Sequence, residues 1–268
     1  MIAEHTARKH ALLSASSAAR WLACPPSAKL CEQFPDTASE AAAEGTLAHE
    51  LAELKLRHYF QTVEFGKQKY TRAVNKLKKD ALWKDEMDRY TEGYLDYIKE
   101  TALALPAKPS VRIEERVDFG TYTHTGDGSV EGTGIADCVL LYGQTVHVID
   151  FKYGQGVPVS AEKNPQLLLY ALGAYESFRM LYPIQSVRLS IYQPRVSEGA
   201  SEWMCTAEEL LEFGAYVKER AALAWEGRGE FSPGESTCRF CRAKARCRAR
   251  ADKNVELAFR TMKRPPLI

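Results

Sequence analysis

Residues 133–152 read TGIADCVLLYGQTVHVIDFK. Two apolar runs, 133–141 and 145–152, flank Gly143-Gln144, the pattern of two strands joined by a tight hairpin. Both runs are apolar on both faces, which predicts central strands covered by helices on each side. The polar exceptions are Asp137 in the first run and Asp150 and Lys152 at the end of the second. Positions 150 and 152 are two apart, so their side chains leave one face, and a hairpin brings Asp137 near Asp150. Two carboxylates and an ammonium at the ends of buried strands are costly unless they pair or hold a cation.

Working outward, residues 111–119 (VRIEERVDF) place Val111, Ile113, Val117 and Phe119 on one face at period two. Glu115 falls on that apolar face. Glu114 falls on the other and is the alternative acid; strand parity favours Glu115. Upstream, residues 14–23 predict a short helix capped by Ser14 or Ser16. Residues 38–60 carry Leu47, Leu51 and Leu54 at helical spacing, with His49 among them. Residues 66–79 hold six bases and no acid, and 81–104 form a further helical pattern before Pro106 and Pro109. Downstream, Asn164-Pro165 starts a helix to about 182, 185–193 predict a strand, and Thr206-x-x-Glu209 is a capping box for a helix to about 226. The expected fold is therefore α/β, with a core in the order helix, three strands, helix, strand.

Asp137, Asp150 and Glu115 suit Mg²⁺ or Mn²⁺, hard cations that prefer oxygen ligands, and His49 can add an imidazole. Such a metal activates water and stabilises charge on a phosphoryl group, while Lys152 orients the water or neutralises the phosphate. The plainer alternative, a buried Asp–Lys salt bridge, explains Asp150 and Lys152 taken alone.

The chain has 268 residues, with 36 Lys and Arg against 35 Asp and Glu, a formal net charge of +1. At 45% hydrophobic and 26% charged residues it has a globular composition, which argues against disorder. No apolar run spans a bilayer, and Arg20 interrupts the one weakly apolar N-terminal stretch, so no signal peptide is expected and the predicted location is cytoplasmic. Seven cysteines without a secretion signal argue against a disulfide framework. Cys138 and Cys205 read as core residues. Cys238, Cys241 and Cys247 form Cys-x2-Cys-x5-Cys, which reads as a metal site one ligand short. Cys24, followed by Pro25-Pro26, is the preferred fourth ligand and Cys31 the second choice. Spacing alone leaves zinc and iron–sulfur level.

These motifs in this order resemble the PD-(D/E)XK nuclease superfamily, in the branch typified by the RecB nuclease domain. Gly45-x3-His49-x3-Glu53 is similar to its helical histidine motif and Glu115 to its first acid. Gly134-x-x-Asp137 and Asp150-Phe151-Lys152 are similar to its central motifs, and Gln166-x3-Tyr170 to the motif on the following helix. The resemblance implies a restriction-endonuclease-like core and catalytic roles for His49, Glu115, Asp137, Asp150, Lys152, Gln166 and Tyr170. Of these, His49, Glu115, Asp137 and Asp150 would hold Mg²⁺ or Mn²⁺. Cys24-Pro25 with the distant cysteine triplet resembles the iron–sulfur staple of AddB-type and CRISPR-adaptation nucleases. That implies a [4Fe–4S] cluster on Cys24, Cys238, Cys241 and Cys247, ahead of a structural Zn²⁺. One domain over 1–268 is expected, its core at about 40–226 and its cluster lobe built from 14–31 and 232–250. The stretch from Val130 to Ala174 further resembles a family of uncharacterised phage-encoded proteins, which implies the cytoplasm of a bacterial host.

The expected activity is phosphodiester hydrolysis by a metal-dependent DNA nuclease, a single-strand-preferring exonuclease in phage-type replication, recombination or repair. The expected partners are DNA, single-stranded or with free ends, and a replication or recombination protein, with no membrane. Arg239, Arg242, Lys244 and Arg246 could track a phosphate backbone, the 66–79 run offers a second strip, and Tyr70 and Phe240 could stack bases. The glycine-rich interval between Glu115 and Asp137 is expected to be a flexible loop shaping the entrance. The alternatives are a non-cleaving nucleic-acid-binding module of the same fold and a zinc-stabilised interaction protein.

Overall fold

The computed structural model describes residues 11–35, 39–123 and 132–262, so Gly126 and Gly128 of the glycine-rich interval lie outside the described residues. After a 3-10 turn at Ala15–Ser17 come α1 (Ala18–Ala23), α2 (Ser27–Glu32), α3 (Glu40–Phe60), α4 (Lys67–Leu77) and α5 (Glu86–Leu103). Then follow β1 (Ser110–Asp118), α6 (Gly120–Thr123), β2 (Thr133–Tyr142), β3 (Thr145–Phe151), α7 (Pro165–Phe178), β4 (Ser186–Tyr192) and β5 (Ala200–Thr206). The chain continues through α8 (Ala207–Glu226), α9 (Glu235–Arg239) and α10 (Arg248–Met262). No described helix is long and apolar enough to cross a membrane.

The fold is mixed α/β, built on a five-stranded sheet in the order β1-β2-β3-β4-β5. Only the β3–β4 pair is parallel, and α7 forms the crossover between those strands. The element order helix, three strands, helix, strand is followed by β5, antiparallel to β4. Strand β5 exposes Glu202, Met204 and Thr206 and mixes polar and apolar residues along its length, so it has no continuous apolar run.

The described residues fall into two compact units, 39–119 with 133–213, and 11–35 with 120–123, 132 and 214–262. The second half of α8 thus groups with 14–31 and 232–250. The reason is local. Past Gly214, Arg220 donates to the carbonyls of Leu22 (2.6 Å) and Ala23 (3.2 Å), and the Tyr216 hydroxyl donates to Leu22 O (3.3 Å). These bonds satisfy orphan carbonyls at the end of α1.

In the sheet-bearing unit, α3 and α5 cover one face. Leu51, Leu56, Tyr94 and Ile98 pack there with Ile113, Cys138, Leu140, Ile149 and Phe151. Helix α7, buried from Leu167 to Ala174, lies against the strands as well. Its Asn164 cap accepts from the N–H groups of Gln166 and Leu167, which sets where the helix begins. The Thr206–Glu209 capping box closes reciprocally, at 2.8 and 3.1 Å.

Candidate active site and cysteine pocket

The β2–β3 ladder ends at the pair Cys138–Ile149, while β2 continues beside β1 as far as Thr133. The two strands therefore fork at Asp137 and Asp150. There a side chain replaces the ladder: Asp137 Oδ2 accepts from the Phe151 N–H at 2.7 Å. Its other oxygen lies 3.3 Å from His49 Nδ1 on α3, whose ring packs edge-on against Phe151.

Asp150 is 2% exposed. Lys152 Nζ lies 2.9 Å from Asp150 Oδ2, so the ammonium is the ion-pair partner of that buried oxygen. Lys152 Nζ also donates to Gln166 Oε1 at 3.0 Å, and Gln166 Nε2 donates to the Tyr170 hydroxyl at 3.1 Å. An ammonium can only donate, so it must meet the amide oxygen, and this orients Gln166. Gly134 makes room for the Tyr170 ring, since a Cβ at that position would sit 2.5 Å from Tyr170 Cε1.

The electrostatics follow from crowding. Burial opposes the charge on Asp137, but the His49 charge and hydrogen bond, the Phe151 N–H and Lys152 outweigh it and hold the carboxyl below its ordinary range. Burial, with the Asp137 charge, raises Asp150. Burial also opposes the charged forms of His49 and Lys152, yet the two aspartates carry both above their usual values.

The third acid differs from the sequence expectation. Glu115 pairs with Ala136, and Glu114 stands opposite Asp137 without a ladder pair, at φ +51°. Burial first, then the charges of Asp137 and Glu53, push Glu114 up to about 7. Parity failed because the strand changes face here. Ile113 belongs to the core under α3 and α5, whereas Val117, of the same parity, meets Gly173 of α7. The left-handed backbone at Glu114 lies between them, and nothing in residue type announces it.

In the other unit, Cys24, Cys238, Cys241 and Cys247 line one small cavity of about 20 Å³, closed by Leu30, Phe231 and Pro233. Cys31 does not line it. Its Sγ lies 3.6 Å from Cys241 Sγ, and that contact, helped by the Arg20 charge, lowers Cys31 to about 5 against the effect of burial. Four thiols are a donor set for soft metals. The cavity has room for about one water-sized ion with the thiols where they lie, so a cluster would require them to move apart. Among the described residues, no three His, Cys, Asp or Glu side chains, at either site, stand close enough together to grip an ion as placed.

The basic residues of this unit are exposed, but several are engaged. Arg239 pairs with Glu235 at 3.3 Å, and Lys244 donates to Arg239 O at 2.8 Å. Arg242 and Arg246 are exposed beside them. Of the aromatics, Phe240 is 76% exposed, whereas Tyr70 is half-buried with one face stacked on His58 at 4.4 Å.

The family model described as "Protein of unknown function (DUF2800)" matches residues 10–268 of the chain. A solved structure titled "Crystal structure of SSO0001" is also similar, at 13% identity and a TM-score of 0.32. The match covers 76% of this chain and 85% of that one, a likeness too distant to bear on function.

Proposed function

The chain belongs to the DUF2800 family, whose function is unknown, and from the chemistry of its own site we propose that it is a metal-dependent deoxyribonuclease with a restriction-endonuclease-like core. The observation that carries this reading is the fork itself. It gathers Asp137, Asp150, Glu114 and Lys152, and it buries three carboxylates around a single ammonium. Crowded carboxylates fit a hard divalent cation. Asp137, Asp150 and Glu114 would hold Mg²⁺ or Mn²⁺, with His49 beside them. When bound, the ion supplies Lewis-acid polarisation of a phosphoryl oxygen and a more acidic water.

The remaining work falls to the side chains. The Lys152 ammonium, kept charged by Asp150 and Asp137, neutralises a phosphate oxygen or orders the attacking water. Gln166 aims that ammonium, and Tyr170 fixes Gln166. His49 steadies Asp137 through its Nδ1 contact at 3.3 Å and would be available to such an ion as an imidazole ligand. Single-strand preference, action at free ends, and a place in phage-type replication, recombination or repair with a protein partner rest on the sequence resemblance.

For the second unit, the four cysteines around one cavity support a metal staple. The resemblance favours [4Fe–4S] and the small cavity favours Zn²⁺. Exposed Arg239, Arg242, Lys244 and Arg246 would offset the charge of the thiolates or contact DNA.

A second reading has one observation in its favour. Among the described residues no three ligands grip an ion as placed, which suits a nucleic-acid-binding module that does not cut. Labelled linear and circular DNA, single- and double-stranded, incubated with Mg²⁺ or Mn²⁺ separates the two. Cleavage that falls by about a hundredfold or more in Asp150→Ala and Lys152→Ala supports the nuclease. Metal-independent binding without products supports the module.

A further inference from the structure

We propose that the outer face of α4 is a track for the phosphate backbone of the nucleic-acid strand that enters the fork, an inference that rests on the nuclease reading. Helix α4 lies in the same unit as the fork and packs against α3, the helix that carries His49. Val74 and Leu77 are buried on its inner side, where Tyr70 stacks on His58 of α3 at 4.4 Å and 8°. The inner side is thereby anchored and the outer side is presented.

The outer side is uniform in sign. Lys67, Arg72, Lys76 and Lys79 are all exposed and border an open trough of about 970 Å³. Among the described residues none of the four is in an ion pair. Elsewhere in the same unit Lys55, Lys84, Lys99, Arg188 and Arg195 each have a carboxylate partner within 3.1 Å. Arg72 and Lys76 stand at i and i+4, a like-charge spacing that weakens a helix by a few tenths of a kcal/mol. A face that needed only water would be better served by mixed signs. Gln68, Thr71 and Asn75 fill the same trough with neutral donors, the kinds of group that contact phosphate oxygens without reading sequence.

The dimensions agree with a strand rather than a single anion. From Lys67 to Lys76 the helix rises roughly 13.5 Å, long enough to meet several successive phosphates of one strand. His49 lies nine residues before His58, roughly 13.5 Å back along α3. The track therefore starts within a few nucleotides of the fork, and its partner is a nucleic-acid backbone of any sequence.

The test is binding of the full-length protein, with no divalent cation added, to a labelled single strand of about twenty nucleotides across about 50 to 300 mM salt. The variant is Lys67→Gln, Arg72→Gln, Lys76→Gln and Lys79→Gln combined, its helix content checked by circular dichroism. Four lost phosphate contacts should flatten the slope of log K against log salt by about 2.8. Affinity at low salt should fall at least about tenfold. A second variant, Lys67→Arg, Lys76→Arg and Lys79→Arg, keeps the charge and should keep the slope. A quadruple variant with the wild-type slope overturns the track, as does loss of slope in the arginine variant. Cleavage by the wild-type protein is scored in parallel with metal added. A protein that does not cut yet shows the slope change loses the nuclease reading and keeps the track; one that cuts with an unchanged slope does the reverse.

Discussion

The fork in the sheet and the cysteine pocket are both candidate metal sites, yet they are built by opposite means. At the fork, ligands come from α3, β1, β2 and β3, and each charged group already has a partner: His49 for Asp137, Lys152 for Asp150. Strand geometry puts the groups in place. In the pocket, thiols from both ends of the chain surround about 20 Å³ with little regular structure behind them; α9 has five residues. The difference teaches which site needs its metal for structure. Carboxylates on a covered sheet are held by an apolar core that exists without any ion. Short helices bury too little apolar area to hold themselves together, and a metal is the usual substitute.

The comparison breaks most visibly if the pocket is emptied. Cys241→Ser, or chelation of the purified protein, is expected to strip the metal and to remove amide-exchange protection from 14–31 and 235–250, while β2, β3 and α7 keep theirs. Iron, sulfide and zinc analysis identifies what was lost. Equal loss of protection in both units would show that the fork also depends on that metal.

The next effect in size is catalytic and should be confined to the other unit. Asp150→Ala and Lys152→Ala should lower cleavage by about a hundredfold or more with cysteine-bound metal unchanged. Robust cleavage by both variants would remove the fork from consideration as the active site.

A third outcome concerns packing at the fork. Gly134→Ala forces a methyl against the Tyr170 ring and is expected to cost about 1–3 kcal/mol in denaturant unfolding. It should also weaken cleavage by displacing Tyr170 from Gln166. An unaltered midpoint would mean that the ring moves freely and does not steady Gln166.

The smallest effect sharpens the electrostatics. Burial and the Asp137 charge hold Glu114 at about 7 in the folded, metal-free protein, above its ordinary value of 4.5. An acid raised in this way contributes stability below about pH 4.5 that is lost as pH climbs through 7. Glu114→Gln should therefore match wild type near pH 4 and exceed it by about 1–2 kcal/mol at pH 8, after allowance for solvent screening. Mn²⁺ should erase the advantage by favouring the ionised wild-type carboxylate. No pH dependence in the difference would place Glu114 away from Asp137.

Much of this molecule was legible in its residues because the signals are local. Asn164 before Pro165 marks the start of α7, and Thr206 with Glu209 marks that of α8, since each cap satisfies backbone N–H groups within one turn. The apolar runs on either side of Gly143 announce β2 and β3, and Gly143 takes the positive φ that the turn needs. The convergence of Asp137, Asp150 and Lys152 follows from strand parity and one hairpin. Strand β5 was less legible because it mixes polar and apolar residues, with Met204 exposed between Glu202 and Thr206.

What the sequence determined by itself was therefore the elements, their order, and the residue types available for chemistry at each end of the strands. Only the tertiary structure put Glu114 rather than Glu115 opposite Asp137, because a single left-handed residue switches the strand's face. It alone put Cys24 at the pocket and left Cys31 beside Cys241, and it gave the second half of α8 to the other unit through Arg220. The physical reason is common to all three. Caps and alternation are fixed by neighbours along the chain, whereas which acid, which thiol and which partner is used depends on groups brought from far away, whose distances no local rule contains.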